Sequence, residues 1–276
     1  MVRVVTLLCI VVGLARPQRG VTQTRVTTEG IDIVLAVDVS TSMLAEDFQR
    51  QGRRSNRLEV VKDVVKEFAA HRPNDRIGLV IFAGRPYTMC PLTLDRGWLL
   101  AQLERVRIGL VEDGTAIGSG IATALNRLRR STAKSRVIIL LTDGVNNAGT
   151  VTPDAAAQLA KTLGARIYAI GAGTKGLAPY PATDLFGRRV YQSVKIDVDD
   201  EGLTRIAHAA GGAYFRATDT DSLRAVYHQI DAMERTTLEQ PKFLIYHERY
   251  PWVIVPALLL LLIEIVLSQT WLRVLP

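Results

Sequence analysis

Cysteine and histidine are scarce in this chain. Cysteine occurs only at Cys9, in an apolar leader, and at Cys90, in the predicted domain. The two are poor disulfide partners, so a disulfide framework is not expected. The chain has 4 histidines among 276 residues, and none stands near a plausible nucleophile on one loop. A catalytic triad built on histidine is therefore not expected.

Motifs for binding nucleotides and nucleic acids are also missing. No G-x-G-x-x-G stretch and no phosphate-binding lysine loop follows the first predicted strand, which argues against a nucleotide site there. The net charge is +7, but the arginines are scattered, with short clusters only at Arg53-Arg54 and Arg129-Arg130. Because no stripe of the sequence interleaves aromatic and basic residues, we expect no binding to nucleic acid.

The chain does contain apolar sequence in regular blocks. Hydrophobic residues make up 48% and charged residues 22% of its 276 positions, which suits one folded α/β domain of about 200 residues with extra segments. Strand and helix patterns alternate, so we predict a doubly wound, mostly parallel, Rossmann-like sheet with helices on both faces. The main predicted strands are the run from residue 31 to Asp38 and residues 77–82, 137–142, 167–170 and 213–215.

Capping residues predict where several helices begin. Asn56 is followed three residues later by Glu59, which is typical of a capping box. Thr152 stands before Pro153, as expected of an N-cap followed by proline at the first helical position. We also expect Asp199 or Asp200 to cap a helix, and a final helix over residues 218–233.

The predicted fold is organised around residues 31–43, IDIVLAVDVSTSM. Its almost unbroken aliphatic run predicts a strand that is buried on both faces, and this strand leads into a loop that carries Asp38, Ser40 and Ser42. Carboxylate and hydroxyl oxygens at alternating positions suit a hard divalent cation such as Mg2+. Because Asp-x-Ser-x-Ser alone is a weak motif, its meaning depends on further ligands elsewhere in the chain.

Further oxygen ligands are found later in the sequence. Asp143 directly follows the predicted strand 137–142, and Thr115 lies in the loop 112–115 that opens a helix. Ligands of open α/β sheets bind outside the carboxyl ends of the strands, near the point where strand order reverses. If the two strands are neighbours, their ligands meet and can hold six-coordinate Mg2+, or another divalent cation such as Mn2+ or Ca2+. The expected metal ligands are Asp38, Ser40, Ser42, Thr115 and Asp143.

This residue set resembles the metal-ion-dependent adhesion site (MIDAS) of von Willebrand factor type A (VWA) domains. That family combines D-x-S-x-S with a later threonine and a later aspartate that ends a hydrophobic strand. The resemblance implies that Ser40, Ser42 and Thr115 contact the metal through their hydroxyls. Asp38 and Asp143 would balance its charge, often through water. It also implies a non-catalytic protein, in which an aspartate or glutamate of a partner protein completes the metal sphere.

An enzyme is the alternative from a different functional class. A Rossmann-like hydrolase would use Asp38 as its nucleophile. Aspartate-phosphatase loops generally place a second carboxylate two residues after the first, and here that position is Ser40. The sequence therefore favours the metal-dependent binding module over the hydrolase.

Several longer stretches resemble the bacterial aerotolerance (Bat) membrane proteins, BatA-type members in particular. These stretches are residues 14–18 (LARPQ), 43–48 (MLAEDF), 91–95 (PLTLD), 180–181 (YP), 186–191 (FGRRVY) and 250–252 (YPW). In that family a VWA domain is held between membrane segments, and its genes accompany a MoxR-type AAA+ ATPase. The resemblance therefore implies other Bat-type membrane proteins and a MoxR-type ATPase as partners.

Apolar segments stand at both ends of the chain. Residues 1–17 contain about a dozen consecutive apolar residues, too few to cross a bilayer. A signal-peptide core, a buried helix and the end of a longer membrane segment remain open, and we expect the last. Residues 251–272 are expected to form a transmembrane helix, because about twenty mostly apolar residues between Trp252 and Trp271 match the bilayer thickness. Glu264 either snorkels to the interface or contacts another spanning helix.

These patterns predict an integral protein of the bacterial inner membrane, in contact with the lipid bilayer. Arg16, Arg19 and Arg25 favour a cytoplasmic domain by the positive-inside rule. The family resemblance instead favours the periplasmic side, which we adopt. The expected organisation is an apolar membrane segment at 1–17, a VWA domain at 30–236, a juxtamembrane linker at 237–250 and the transmembrane helix at 251–272.

The connection over residues 174–192 is unusually long. It follows the predicted strand 167–170 and should lie at the same edge of the sheet as the metal. Tyr180, Phe186 and Tyr191 stand in an otherwise polar sequence, which suggests that this connection helps to select the partner. A strand hairpin that merely covers the sheet edge is the alternative.

Overall fold

A computed structural model describes most of the chain. It covers residues 18–22, 30–50, 52–174, 176–184, 186–196, 198–236, 244–248 and 251–270, together with Val11 and Ala15. The chain divides into two compact units, Thr28–Leu238 and a terminal unit of Met1–Thr27 with Glu239–Pro276. Apart from Val11 and Ala15, the expected membrane segment at 1–17 lies outside the described residues, and so does the side chain of Glu264.

Strands and helices alternate along the larger unit, as the sequence predicts. In chain order the strands are β1 (Gln18–Thr22), β2 (Asp32–Asp38), β3 (Phe48–Arg50), β4 (Arg53–Ser55), β5 (Arg76–Phe82), β6 (Pro86–Thr93), β7 (Arg136–Thr142), β8 (Ala165–Ala172), β9 (Gly176–Thr183), β10 (Arg189–Ile196), β11 (Tyr214–Ala217) and β12 (Leu244–Glu248). The helices are α1 (Arg57–Ala70), α2 (Arg96–Arg105), α3 (Ile117–Leu128), α4 (Pro153–Thr162), α5 (Asp200–Ala209), α6 (Thr220–Thr236) and α7 (Pro251–Thr270), with a short 3-10 helix at Thr41–Leu44.

The central sheet has the strand order β11-β8-β7-β2-β5-β6. All neighbours in it are parallel except β6, which pairs antiparallel with β5 at one edge. Ile33 of β2 pairs with Ile77 on one side and with Val137 on the other. From β2 the chain moves outward to β5 and later returns to β7, so strand order reverses at β2. The predicted doubly wound α/β fold is confirmed, and so is the adjacency of the strands that end near Asp38 and Asp143.

Both faces of β2 are covered by helices. Its residues are all buried, and they alternate between two cores on opposite faces of the sheet. Leu35 belongs to the core that includes Val61 of α1, whereas Val34 belongs to the core that includes Ile121 of α3. Burial on both faces explains why this strand reads as a continuous apolar run without polar alternation.

The predicted caps begin their helices as expected. The Asn56 side chain accepts a hydrogen bond from the Glu59 N–H at 2.9 Å. Thr152 accepts from the Ala155 N–H at 3.3 Å, with proline next in the helix. Of the two aspartates considered, Asp199 is the cap, since its side chain accepts from the Gly202 N–H at 2.8 Å. The final predicted helix, expected at 218–233, spans Thr220–Thr236 instead.

The larger unit also contains two antiparallel hairpins whose strands are not among the main predicted strands. Strands β3 and β4 form a short antiparallel pair before α1. Strands β9 and β10 pair antiparallel from Gly176↔Ile196 to Thr183↔Arg189. Most of the connection 174–192 therefore lies in a regular hairpin, as one of the two alternatives expected. A hairpin is compatible both with covering the sheet edge and with helping to select a partner.

The terminal unit contains a strand pair and a helix. Strand β1 pairs antiparallel with β12, which lies within the expected linker 237–250. Helix α7 covers most of the expected transmembrane segment. In the part of the chain that the structure describes, no helix is long and apolar enough to cross a membrane, so the transmembrane helix expected at 251–272 is not confirmed.

A buried carboxylate fastens α6 to the sheet. Glu234 is 1% exposed, and its Oε1 accepts a hydrogen bond from the Tyr168 hydroxyl of β8 at 2.6 Å. Its Oε2 accepts from the Ser135 hydroxyl at 2.8 Å and from Arg166 at 3.0 Å. Because a buried carboxylate needs such donors, these bonds fix the last turns of α6 against the sheet.

We expect Tyr168→Phe to lower the free energy of unfolding by about 1–3 kcal/mol, because it removes a donor from the buried Glu234 carboxylate. Urea unfolding followed by circular dichroism measures the change. Tyr87→Phe is the matched control, since Tyr87 is 60% exposed, and it should change stability by less than about 0.5 kcal/mol. Equal effects of the two substitutions would show that the Glu234 contact contributes little.

Candidate metal centre

The carboxyl ends of β2 and β7 bring the predicted ligands to one place. Strand β2 ends at Asp38, and the next residues form a bend and the 3-10 helix Thr41–Leu44. Strand β7 ends at Thr142, immediately before Asp143. Since the two strands are parallel neighbours, their ends meet at the edge where strand order reverses, as predicted.

Hydroxyl and carboxylate oxygens lie within contact of one another at this edge. The Ser40 and Ser42 hydroxyl oxygens are 2.9 Å apart, and the Ser42 hydroxyl donates to Asp143 Oδ1 at 2.6 Å. In an octahedral Mg2+ site with bonds of about 2.1 Å, adjacent ligand oxygens are about 3 Å apart. The spacing of these oxygens therefore fits neighbouring positions around such an ion.

Thr115 joins this cluster through the loop that precedes α3. Its N–H donates to the Asn147 side chain at 2.7 Å, and its carbonyl accepts from the Asn147 N–H at 3.1 Å. A Cβ built on Gly144 would lie 3.3 Å from the Thr115 hydroxyl oxygen, so that hydroxyl stands beside the residue after Asp143. The structure thus brings all the sequence-predicted site residues together.

Asp38 lies at the floor of the cluster and is fully buried. Its Oδ1 accepts from the Ser40 N–H at 2.8 Å and its Oδ2 accepts from the Thr142 hydroxyl at 2.6 Å. Burial, followed by the charge of Asp143, raises the pKa of Asp38 to about 7. Because both carboxylate oxygens of Asp38 already accept hydrogen bonds, Asp38 is better placed to balance the charge of a metal through water than to bind the metal directly.

The guanidinium of Arg57 is the main feature of the site that the sequence analysis missed. It is 0% exposed, at the first residue of α1, and its Nη1 donates to Asp143 Oδ2 at 2.7 Å. Its Nε and Nη2 donate to the two carboxylate oxygens of Asp47 at 2.8 and 2.5 Å. An arginine after an N-cap normally faces solvent, and nothing in the local sequence indicates a partner 86 residues away.

The segment before β9 packs around this arginine. Gly173 has φ +123, and a Cβ there would clash with the Arg57 guanidinium, so only glycine leaves enough room. Thr174 donates from its N–H and its hydroxyl to Asp47 Oδ2, at 3.0 and 3.1 Å. The start of the β9–β10 hairpin is therefore bonded to the same carboxylate as Arg57.

The hairpin also contacts the residue before Asp47. The Glu46 N–H donates to the Pro179 carbonyl at 2.8 Å, while its carboxylate accepts from Arg189 and, at 2.8 Å, from the Tyr191 hydroxyl. Ala45 packs with Ala178 and Ile196 in a small apolar cluster. These contacts place the hairpin beside the metal-site loop, at the predicted edge of the sheet.

The buried carboxylates of the site favour the binding of a divalent cation. Burial raises the pKa of Asp143 in spite of the Arg57 charge. Burial alone would also raise the pKa of Asp47, but the hydrogen bonds and charge of Arg57 lower it. Because the charge of Asp143 raises the pKa of Asp38, ionising both carboxylates is unfavourable without a further cation, and a bound divalent ion would supply it.

The composition of the site sets the kind of ion that it fits. No group of three or more His, Cys, Asp or Glu side chains that could hold a metal occurs among the described residues. Any ion here would thus depend on the hydroxyls of Ser40, Ser42 and Thr115, which are hard oxygen ligands. The donor set fits a hard divalent ion better than a soft one.

Comparisons with known proteins agree with this geometry. The family model described as the von Willebrand factor type A domain matches residues 32–229. An uncharacterized protein of Borreliella burgdorferi is 32% identical over 244 residues, which cover 88% of this chain and 70% of that protein.

Solved structures point to the same family. BatB of Bacteroides thetaiotaomicron is 29% identical with a TM-score of 0.63, covering 75% of this chain and 100% of that one. An aerotolerance-related membrane protein of Bacteroides fragilis is 28% identical with a TM-score of 0.60, covering 72% and 98%. The mussel byssus protein PTMP1, described with a zinc-occupied MIDAS motif, shares the fold at 23% identity and a TM-score of 0.56, covering 83% and 50%. The expected resemblance to VWA domains and Bat proteins is confirmed.

We expect Arg57→Met to lower the free energy of unfolding by about 3–5 kcal/mol, because it leaves Asp47 and Asp143 buried without their cation. Urea unfolding of the purified chain measures the loss. Arg57→Lys keeps the positive charge but cannot form the bidentate pair with Asp47, so its loss of stability should lie between those of the unchanged chain and Arg57→Met.

Arg50→Met is the matched control for this prediction. Arg50 bonds Asp63 at 2.6 Å, but the two side chains are 44% and 37% exposed. Its loss should lower stability by less than about 1 kcal/mol. A comparable loss for Arg50 and Arg57 would contradict a special role for the buried pair.

Proposed function

The chain belongs to the von Willebrand factor type A domain family, and we propose that it is a non-catalytic, membrane-anchored domain that binds a partner protein through a divalent metal. The observation that carries this proposal is the row of oxygens where β2 and β7 end, with Ser40 2.9 Å from Ser42 and Ser42 2.6 Å from Asp143. The chain spans 70% of its Borreliella relative, and the proposed role is that of this domain and its attachment.

The metal would be held mainly by hydroxyl oxygens. Ser40, Ser42 and Thr115 would bind it directly, and Asp38 and Asp143 would balance its charge. Hard oxygen ligands beside buried carboxylates favour Mg2+, with Mn2+ and Ca2+ as alternatives. The zinc-occupied site of the mussel protein supports a divalent ion at the corresponding place in this fold. When bound, such an ion supplies a positive coordination position for an anionic oxygen.

The arrangement of Asp38 speaks against the hydrolase alternative. A nucleophilic carboxylate must reach its substrate, yet Asp38 is fully buried and both of its oxygens accept hydrogen bonds within the fold. Among the hydroxyl residues, Ser42 is partly exposed, whereas Ser40 and Thr115 are each 4% exposed. This geometry favours ligation of a partner over covalent chemistry.

The partner would contribute an aspartate or glutamate to the metal. Other Bat-type membrane proteins and a MoxR-type AAA+ ATPase are the proposed partners, because Bat proteins are among the similar structures. The β9–β10 hairpin would help to select among them. Phe186 and Tyr191 are 80% and 50% exposed on it, and it is bonded to the metal-site segment through Glu46 and Asp47.

The C-terminal helix would attach the domain to the bilayer. Leu258, Leu259 and Leu262 of α7 are each more than half exposed, and such a row of apolar side chains favours lipid over water. The Bacteroides fragilis structure is described as a membrane protein. We propose an inner-membrane location with the domain on the periplasmic side.

We expect Mg2+ to stabilise the chain by about 2.7 kcal/mol at a hundred times its Kd, and this effect should vanish in Asp38→Asn and Thr115→Val. Thermal unfolding and titration calorimetry, each with and without excess chelator, measure it. Both variants keep nearly the shape of the original side chain, so loss of binding would reflect loss of a charge or a hydroxyl.

Thr132→Ala is the control for the metal experiment, because Thr132 is exposed and far from this edge of the sheet. Its Mg2+ response should match that of the unchanged chain. If partner binding or the stabilisation survives in excess chelator, the metal-dependent mechanism is wrong.

We expect the double variant Leu258→Arg with Leu262→Arg to lose membrane attachment, because each arginine in an apolar helix costs about 2.5–3.5 kcal/mol in the bilayer. Alkaline carbonate washing of membranes from expressing cells measures attachment by the protein left in the pellet. Leu159→Arg, at a 45% exposed position of α4, is the control and should remain in the pellet. Retention of the double variant would contradict attachment through α7.

A further inference from the structure

A cleft of about 730 Å³ lies beside the metal centre, outside the set of metal ligands. It is bounded by the edge strand β6, the end of α2 and the loop after α2. Its walls combine exposed apolar side chains with arginines, namely Tyr87, Met89, Leu110, Arg85, Arg105 and Arg107.

The rim of the cleft is positively charged. Its lining residues include arginines but no aspartate or glutamate. Arg85 approaches Glu112 at 3.5 Å, but both side chains are about 70% exposed, so that pair contributes little. Glu104 lies next to Arg105 in sequence, yet it pairs with Lys66 of α1. Among the described residues, no ion pair involves Arg105 or Arg107.

The walls between these arginines are apolar. Tyr87 is 60% exposed and Leu110 is 42% exposed, while Met89 packs partly against the core. Exposed aromatic and aliphatic side chains with arginines around them are the composition that protein interfaces favour. The complement of this surface is a segment that carries both apolar and acidic side chains.

The cleft and the metal centre share one connecting loop. Val111 lines the cleft and Thr115 belongs to the metal centre, so the two lie at most about 14 Å apart along four extended residues. Asp113, between them, accepts from the Thr41 N–H at 3.0 Å and from the Thr41 hydroxyl at 2.8 Å. A single short partner segment can therefore reach both places.

Strand addition is a poor way to fill this cleft. Strand β6 is the edge of the sheet, but Pro86 and Pro91 lack the N–H groups that a further strand would need. Recognition there would depend on side chains, for which the arginine rim and the apolar walls are suited.

We propose that this cleft binds an acidic, partly apolar segment of the same partner whose carboxylate completes the metal sphere. This inference rests on the proposed function and adds the chemistry of the partner to it. The metal binds one carboxylate of this segment. Arg105 and Arg107 form ion pairs with further acidic side chains a few residues away in the same segment. Apolar side chains of the segment pack against Tyr87 and Leu110.

Fluorescence anisotropy of the purified 276-residue chain with a labelled synthetic peptide of Glu, Leu and Phe tests this proposal, with Mg2+ and with excess chelator. Arg105→Glu combined with Arg107→Glu should weaken binding at least about tenfold in both conditions, since two favourable charges become repulsive. A peptide with Gln in place of Glu should bind the unchanged chain about tenfold more weakly.

Arg127→Glu combined with Arg130→Glu is the matched control. These exposed arginines line a second cleft, of about 440 Å³, near the start of β5 and the end of β6, at the other end of the same edge strand. Their reversal should change the affinity by less than about twofold. Equal losses for the two double variants would overturn the proposal, because they would show only general attraction of an acidic peptide to a basic protein.

Two further outcomes separate the inference from the function on which it rests. If chelator leaves the affinity unchanged while the Arg105 and Arg107 reversals still weaken it, the cleft is supported and the metal contact is not. If those reversals release the chain from phosphatidylglycerol vesicles but leave peptide binding intact, the cleft is a lipid-binding surface and the proposal is overturned.

Discussion

The buried bridge from Asp47 through Arg57 to Asp143 is the interaction on which the carboxyl edge of this sheet depends. Removing an ion from water costs several kcal/mol, and here Asp38, Asp47 and Asp143 are buried within one small region. Arg57 offsets one of these charges and holds Asp143 Oδ2, which directs Oδ1 towards Ser42. Ionising Asp38 beside Asp143 is unfavourable without a further cation, and a divalent ion would serve as that counter-ion.

The same bridge connects the metal centre to parts of the chain that are distant in sequence. Arg57 begins α1, Asp143 ends β7, and Asp47 accepts two bonds from Thr174 before the β9–β10 hairpin. A shift of Asp143 upon metal binding would alter the bonds of Arg57, and through Asp47 those of the hairpin. The packed contacts thus provide a physical route between metal occupancy and the hairpin, without any long-range charge effect.

The fold, and the meeting of the expected ligand residues at one edge, could be predicted from the sequence because both depend on local patterns, whereas binding of a metal by these residues stays a prediction. Strand β2 reads as an apolar run because both of its faces are covered, and Asp38 and Asp143 stand where such strands end. Arg57 and Asp47 escaped prediction because their pairing depends on the meeting of segments far apart in the chain. The hairpin within 174–192 could be given only as one of two alternatives, since its exposed strands lack a clear apolar alternation and Pro179 and Pro181 are unusual within a strand.

A metal bound at this position in the sheet would not by itself select a partner. Nearly every protein surface offers carboxylates, so one metal–carboxylate bond gives affinity and direction but little discrimination. In the strand order, β2 and β7 lie in the middle of the sheet. The hairpin follows β8 on one side of them, and the arginine-lined cleft lies beside β6 on the other side. A partner that bound a metal at this site would therefore have to fit one or both of these flanking surfaces. Specificity in this fold would reside in those surfaces, since substitutions there would leave the buried Arg57 bridge intact.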